Sequence, residues 1–243
     1  MQELLKPIRT ESLKDVFVNR FENLILSGQL TIGQKLPSER ELALQLGVSR
    51  PVVHEGLVDL AAKGLVSMKP RVGTVVNDFR TKGSLALLNS LFNYHAGQLE
   101  PEIQDSLLDM RLLFEVETAR LAALNRSGEQ VEALTALLEQ EQAIDPYDTQ
   151  ALTEADFRFH HLIALSTGNL IYPLLINSCK QFYTNLAGQF YKDPQVVPKV
   201  LQFHRELVAA IERQAPDEPA RIMKAMLRHG ERHLKAMLAQ LNP

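Results

Sequence analysis

The chain has 243 residues, 45% hydrophobic and 23% charged, with a formal net charge of −3. That length suits one large domain or two ordinary ones, and the composition is that of a globular protein rather than a disordered or membrane-embedded one. No run of about 18 apolar residues offers a transmembrane helix, and Cys179 as sole cysteine excludes an intrachain disulfide, which together with the absence of an apolar signal core in MQELLKPIRTESLK predicts a cytoplasmic protein.

Charge is uneven along the chain. Residues 1–82 hold 12 basic and 9 acidic side chains and the remainder 14 and 20, which points to two modules with different partners. Over 12–27 apolar residues recur at helical spacing, with Ser12 as N-cap and Gly28 as stop. Pro37, Ser38 and Glu41 then form a capping-box pattern that opens a second helix running to Gly47. A third helix starts at Ser49, with Pro51 in its first turn where the missing N–H costs nothing, and ends at Gly64. LVSM and GTVVND flank KPRV as two short β-prone runs, a hairpin. Residues 78–84, DFRTKGS, read as a linker. Beyond it helical periodicity dominates over 84–96, 102–125, 128–142, 148–167, 170–191, 194–214 and 217–240, with DPQVVPK at 193–199 able to form a loop. The expected fold is mainly α: a winged helix-turn-helix over 1–77, a linker over 78–84, and an all-α bundle of six or seven helices over 85–243.

In the front module, Gly47 supplies the sharp turn between two short helices, while Leu42, Ala43, Leu46, Val48, Val53 and Leu57 pack the pair. Ser49 and Arg50 then stand at the end of the second helix that meets base edges when such a helix enters a major groove. KPRVG puts Lys69 and Arg71 at the wing tip, placed for phosphate or minor-groove contact. The stretch GQKLPSERELALQLGVSRPVVHEGLVDLAAKGLVSMKPRVGTVV closely resembles the winged helix-turn-helix of GntR-type bacterial transcription regulators. The resemblance implies double-stranded operator DNA as partner, a homodimer on a pseudo-palindrome, a DNA-facing set that includes Ser38 and Arg40 of LPSER with Arg50, and Gly73 within the wing. His54 departs from the family, which usually carries Arg there; an imidazole cannot reproduce the two-pronged guanine contact of a guanidinium, so His54 alters the half-site or contacts phosphate only.

In the rear module, ADFRFHHLIAL places Asp156 and His160 four residues apart on one helix face, where they either share a divalent ion or are ordinary core and surface groups. His204 lies on an apolar helix face, and His229 and His233 follow four apart; buried imidazoles need partners for both nitrogens, and a shared metal is one solution. The module resembles the FCD effector domain of the FadR branch of the GntR family, through RLLFE at 111–115, DFRFH at 156–160, STGN at 166–169, HRELVAAI from His204 and AMLRH ending at His229. That resemblance implies a divalent metal held by Asp156, His160, His204 and His229, with His233 as the alternative last ligand and His161 a neighbour. Three imidazoles and a carboxylate suit zinc, nickel or manganese better than calcium. A small carboxylate effector would complete the shell, with Arg111 as a second anchor or simply the i,i+4 partner of Glu115, and Asn177 and Tyr183 as pocket liners.

These readings converge on a ligand-responsive transcription regulator, a repressor, rather than an enzyme. The rivals are a metal-dependent enzyme acting on a small organic acid, for which no additional general base stands in a motif, and a regulator for which the metal itself is the signal.

Overall fold

The computed structural model describes residues 12–94 and 101–241, and the chain divides into two compact units, 1–98 and 99–243. In the first unit, α1 (Leu13–Leu26) begins where the Ser12 hydroxyl accepts the Asp15 N–H. α2 (Glu39–Leu46) opens on the Ser38/Glu41 capping box, an arrangement that contributes about 1 kcal/mol. Gly47 adopts φ +66°, a left-handed turn that a side chain would strain, and sends the chain into α3 (Arg50–Ala62). β1 (Val66–Lys69) and β2 (Gly73–Val76) pair antiparallel, Val66 opposite Val76 and Lys69 opposite Gly73. Lys35 bridges to Val75 and adds a third short segment to this wing. Phe17, Phe21, Leu42, Val53, Leu57 and Leu60 bury the seam between the helices.

The stretch read as a linker is folded onto this unit. It holds a short helix, α4 (Phe79–Lys82), and leads to α5 (Leu87–Tyr94), which packs on α1. The Ser84 hydroxyl donates to the Ala62 carbonyl at 2.9 Å and its N–H to Lys63 O at 3.1 Å, so the chain caps the open end of α3. Gly64 sits so close to this segment that a Cβ there would lie 2.0 Å from the Lys82 carbonyl oxygen. Leu87 joins the core, and the Ser90 hydroxyl and the Lys63 ammonium both donate to buried Glu22, at 2.7 and 2.6 Å. The division between units therefore falls at 98/99 and not at 78–84; DFRTKGS is polar because it caps and turns, and not because it is free. The remainder of the helix expected over 84–96 falls partly outside the described residues.

The second unit holds, among the described residues, seven α-helices: α6 (Pro101–Asn125), α7 (Gly128–Gln142), α8 (Thr149–Leu165), α9 (Ile171–Ser178), α10 (Lys180–Phe190), α11 (Val197–Glu212) and α12 (Asp217–Leu241). A 3₁₀ turn at Pro194–Val196 precedes α11 where a loop was considered. The helix expected over 170–191 is two, broken at Cys179 (φ −98°, ψ 6°), a one-residue departure that no Gly or Pro announces. Phe159, Ile163, Leu207, Ile211 and Met223 are fully buried where α8, α11 and α12 meet.

Candidate metal centre and nucleic-acid interface

Asp156 and His160 project from one face of α8, and His204 comes from α11, 44 residues on from His160. Their exposures are 8%, 2% and 1%, and one ligand atom of each lies within 4.8 Å of the others. His204 Nε2 stands 3.8 Å from Asp156 Oδ1 and, buried, has no hydrogen-bond partner. Its other nitrogen, Nδ1, is taken by Glu141 Oε2 at 2.8 Å. His160 repeats the pattern, with Nδ1 against Glu115 Oε2 in an ion-pair contact that lacks hydrogen-bond alignment. A carboxylate behind each imidazole fixes the ring so that the far nitrogen faces inward, the arrangement that accompanies metal-ligating histidines. Asp156 is held in turn by two buried phenols, Tyr183 at 3.1 Å and Tyr191 at 2.9 Å.

Charge also fits a cation. Asp156, Glu115 and Glu141 are buried carboxylates, and Arg111 is the one guanidinium among them, its Nε 2.6 Å from Glu115 Oε1 and its plane 4.0 Å over the Tyr183 ring. Burial alone would raise the Glu115 carboxyl; Arg111 and His160 override it and hold it at about 2. Burial likewise works against a charged His160, but Glu115 and Asp156 outweigh it and raise its pKa. With neutral imidazoles the cluster is two positive charges short of balance, the deficit a divalent ion fills. The donor set of oxygen and imidazole nitrogens suits a borderline ion.

His229 stands apart from the three. It is half-buried on the wall of the cleft that Asp156, His160 and Arg111 also line, its ring 6.0 Å from Phe203, and burial lowers its pKa. His233 is engaged elsewhere, with Nε2 3.1 Å from Asp193 Oδ2, and His161 stacks near Phe157 outside the cluster. Tyr183 belongs to the site through Asp156 and Arg111, whereas Asn177 is exposed on α9 and does not line the cleft. Arg111 pairs with Glu115 at i,i+4 and also lines the cleft. Sequence reasoning missed Glu141 and Tyr191; Glu141 lies 63 residues from His204 and reads locally as one more acid in LLEQEQ.

In the first unit, Arg40, Ser49, Arg50, His54, Lys69 and Arg71 are all exposed. Ser49 N-caps α3 without using its side chain, which leaves the hydroxyl outward, whereas the Ser38 hydroxyl is occupied by Glu41 in the capping box. His54 Nδ1 is 2.8 Å from Glu39 Oε1, a bond between α2 and α3 that leaves Nε2 to face outward contacts. Arg71 has φ +64°, unusual for a residue with a long side chain, at the turn closed by Val72 N–H to Lys69 O; Gly73 follows at φ +105°. A groove between the wing tip and the start of α2 is lined by Lys35, Lys69 and Arg71 with Ser38. Lys35, which the sequence did not single out, enters it through its bridge to the wing.

Comparison with known proteins agrees with this geometry. Residues 14–76 match the model of bacterial regulatory proteins of the gntR family, and residues 106–229 that of the FCD domain. The chain is 31% identical over 189 residues to the fatty acid metabolism regulator protein of Shewanella pealeana, covering 77% of each. It is 32% identical over 208 residues to the HTH-type transcriptional regulator Mce2R of Mycobacterium tuberculosis, covering 85% of each. Among solved structures it shares the fold of Lar, which controls expression of the Listeria monocytogenes agr system (TM-score 0.60, 17% identity, 94% of this chain and 99% of that one). It shares it also with E. coli McbR/YncC (TM-score 0.52, 18% identity, 94% and 100%).

Proposed function

The chain belongs to the GntR family of bacterial regulatory proteins and carries the FCD domain, and from that premise we propose that a small carboxylate bound at a divalent cation in the second unit controls its affinity for operator DNA. It is a DNA-binding transcriptional regulator, like the relatives it matches, and not an enzyme. No described helix is long and apolar enough to cross a membrane. In the proposed mode Ser49 and Arg50 meet base edges from the N-terminus of α3. Arg40, Lys69 and Arg71 meet the backbone around them, with Ser38 and Gly73 shaping the approach. His54, tied to Glu39, offers one nitrogen where a guanidinium would offer two. A homodimer sets two such helices in successive major grooves.

One observation carries the sensing half: an unpartnered buried imidazole nitrogen aimed at Asp156 beside His160, with a carboxylate behind each ring. Asp156, His160 and His204 would hold the ion, with His229 as fourth ligand from the same cleft. Zinc or nickel fits best and manganese also suits the donors. Bound there, the cation supplies a Lewis-acidic point for a carboxylate oxygen. Arg111 supplies a guanidinium at the same cleft, and Tyr183 and Tyr191 keep Asp156 oriented. Repression by the effector-free protein is relieved if the effector-bound state fits the operator less well, which requires differential affinity for the two states. The test is operator affinity of the protein freed of metal, then with zinc alone, then with zinc and a carboxylate. Loss of affinity only in the third condition is expected. Loss with zinc alone would make the metal the signal, and no change in any would remove the sensing role.

A further inference from the structure

His54 stands exposed on α3 four residues on from Arg50, one helical turn further along the face that Ser49 and Arg50 open. Its Nδ1 lies 2.8 Å from Oε1 of Glu39, the half-buried first residue of α2, so the bond crosses from one helix of the pair to the other. A carboxylate can only accept, and a neutral imidazole carries one N–H and one lone pair. The N–H therefore sits on Nδ1, and Nε2 turns outward as an acceptor with no hydrogen to give. The other tautomer would set the Nδ1 lone pair against the carboxylate. Glu39 thus fixes both the direction of the ring and what the ring offers.

We propose, resting on the placement of α3 in a major groove, that His54 reads a base through Nε2 as an acceptor and that the base is cytosine. In that groove guanine presents two acceptors, N7 and O6, and thymine an acceptor and a methyl group, so neither donates to Nε2. Cytosine N4 and adenine N6 do. Adenine N6 lies between two acceptors, its own N7 and O4 of the paired thymine, which repel the imidazole lone pair from both sides. Cytosine N4 has an acceptor on one side only, O6 of its partner guanine. Phosphate is refused for the same reason as guanine, because its oxygens only accept. Where a guanidinium selects guanine, the Glu39–His54 pair inverts the choice, with His54 as the reading group and Glu39 as its positioning residue. An exposed bond of this kind is weak in water, and a groove that excludes water strengthens it.

The test is selection by the full chain from duplexes with randomised half-sites at pH 8, where an ordinary imidazole is neutral, followed by anisotropy titration of the selected site and its single-base variants. One C·G pair in each half-site is expected whose exchange for T·A or G·C weakens binding about tenfold. In His54→Ala the same exchanges should cost less than twofold, with every other position of the site unchanged. N4-methylcytosine at that position sets a methyl group where the amino hydrogen faced the groove and should weaken the parent chain about tenfold. 7-Deazaguanine in the opposite strand should change nothing; a loss there would mean that His54 donates and would overturn the tautomer. Glu39→Ala frees the ring to turn and is expected to cut the cytosine preference below threefold, and a preference kept at full strength would remove the positioning role. A His54-dependent preference for any other base, or base selection identical in His54→Ala, overturns the proposal while leaving α3 in the groove. Selection of no base at any position overturns both.

Discussion

In the first unit Arg40, Arg50, Lys69 and Arg71 stand exposed around a wing and a helix end, whereas in the second Glu115, Glu141, Asp156, His160 and His204 are withdrawn from water and engage one another and the half-buried Arg111. Exposed cations suit a large polyanion that brings its own geometry, since each contact adds little and many add up. Buried charge is tolerated only when partners are fixed beforehand, so it suits a small, specific occupant. The difference separates how each unit should respond to damage: the first gradually and in proportion to salt, the second abruptly.

The largest effect should therefore come from Arg111→Ala, which leaves the Glu115 carboxylate buried beside His160 without its guanidinium and should cost roughly 3–5 kcal/mol in urea unfolding. Arg111→Met combined with Glu115→Gln should recover much of that loss. Equal cost for the single and double variants would mean that Arg111 stabilises the fold by packing and not by charge. Next, Glu141→Gln should lower metal affinity by roughly 10–100-fold in chelator competition while the fold survives, because it touches only the far side of His204. Unchanged affinity would leave Glu141 a merely structural partner. In the first unit, Arg50→Ala should weaken operator binding by roughly 1–3 kcal/mol if the side chain reads a base edge, as fluorescence anisotropy would report, and an unaltered constant would take it out of the interface. The smallest change is expected for Lys69→Ala: a uniform weakening across sequences and a salt slope shallower by about 1. A sequence-selective loss there would move the wing from phosphate to bases.

The same contrast explains what could be read in advance. The helix-turn-helix is contiguous, so caps at Ser12 and Ser38, Pro51 in the first turn of α3 and Gly47 between helices announce themselves within a few residues. Asp156 and His160 were legible for the same reason, one helix turn apart. His204 stood out on an apolar helix face but was joined to that pair only through a family resemblance, and Glu141 came from neither source, because nothing local distinguishes an acid that orients an imidazole 63 positions away from one facing solvent. Asn177 lies off the cleft, on the short helix that the break at Cys179 separates from the one carrying Tyr183, a break that no Gly or Pro announces. DFRTKGS misled for the opposite reason: its polarity reflects bonds it makes to the end of α3.

That capping segment has a practical reach for anyone building chimaeras. A graft that cuts after residue 77 would expose the carbonyls of Ala62 and Lys63, strand Glu22 with only Lys63, and open the hydrophobic seam that Leu87 closes. A graft carried through residue 94 transplants the reading head with its own stopper in place. The same bonds fasten the segment that leads into α5 to the carboxyl end of α3, the helix proposed to enter the groove.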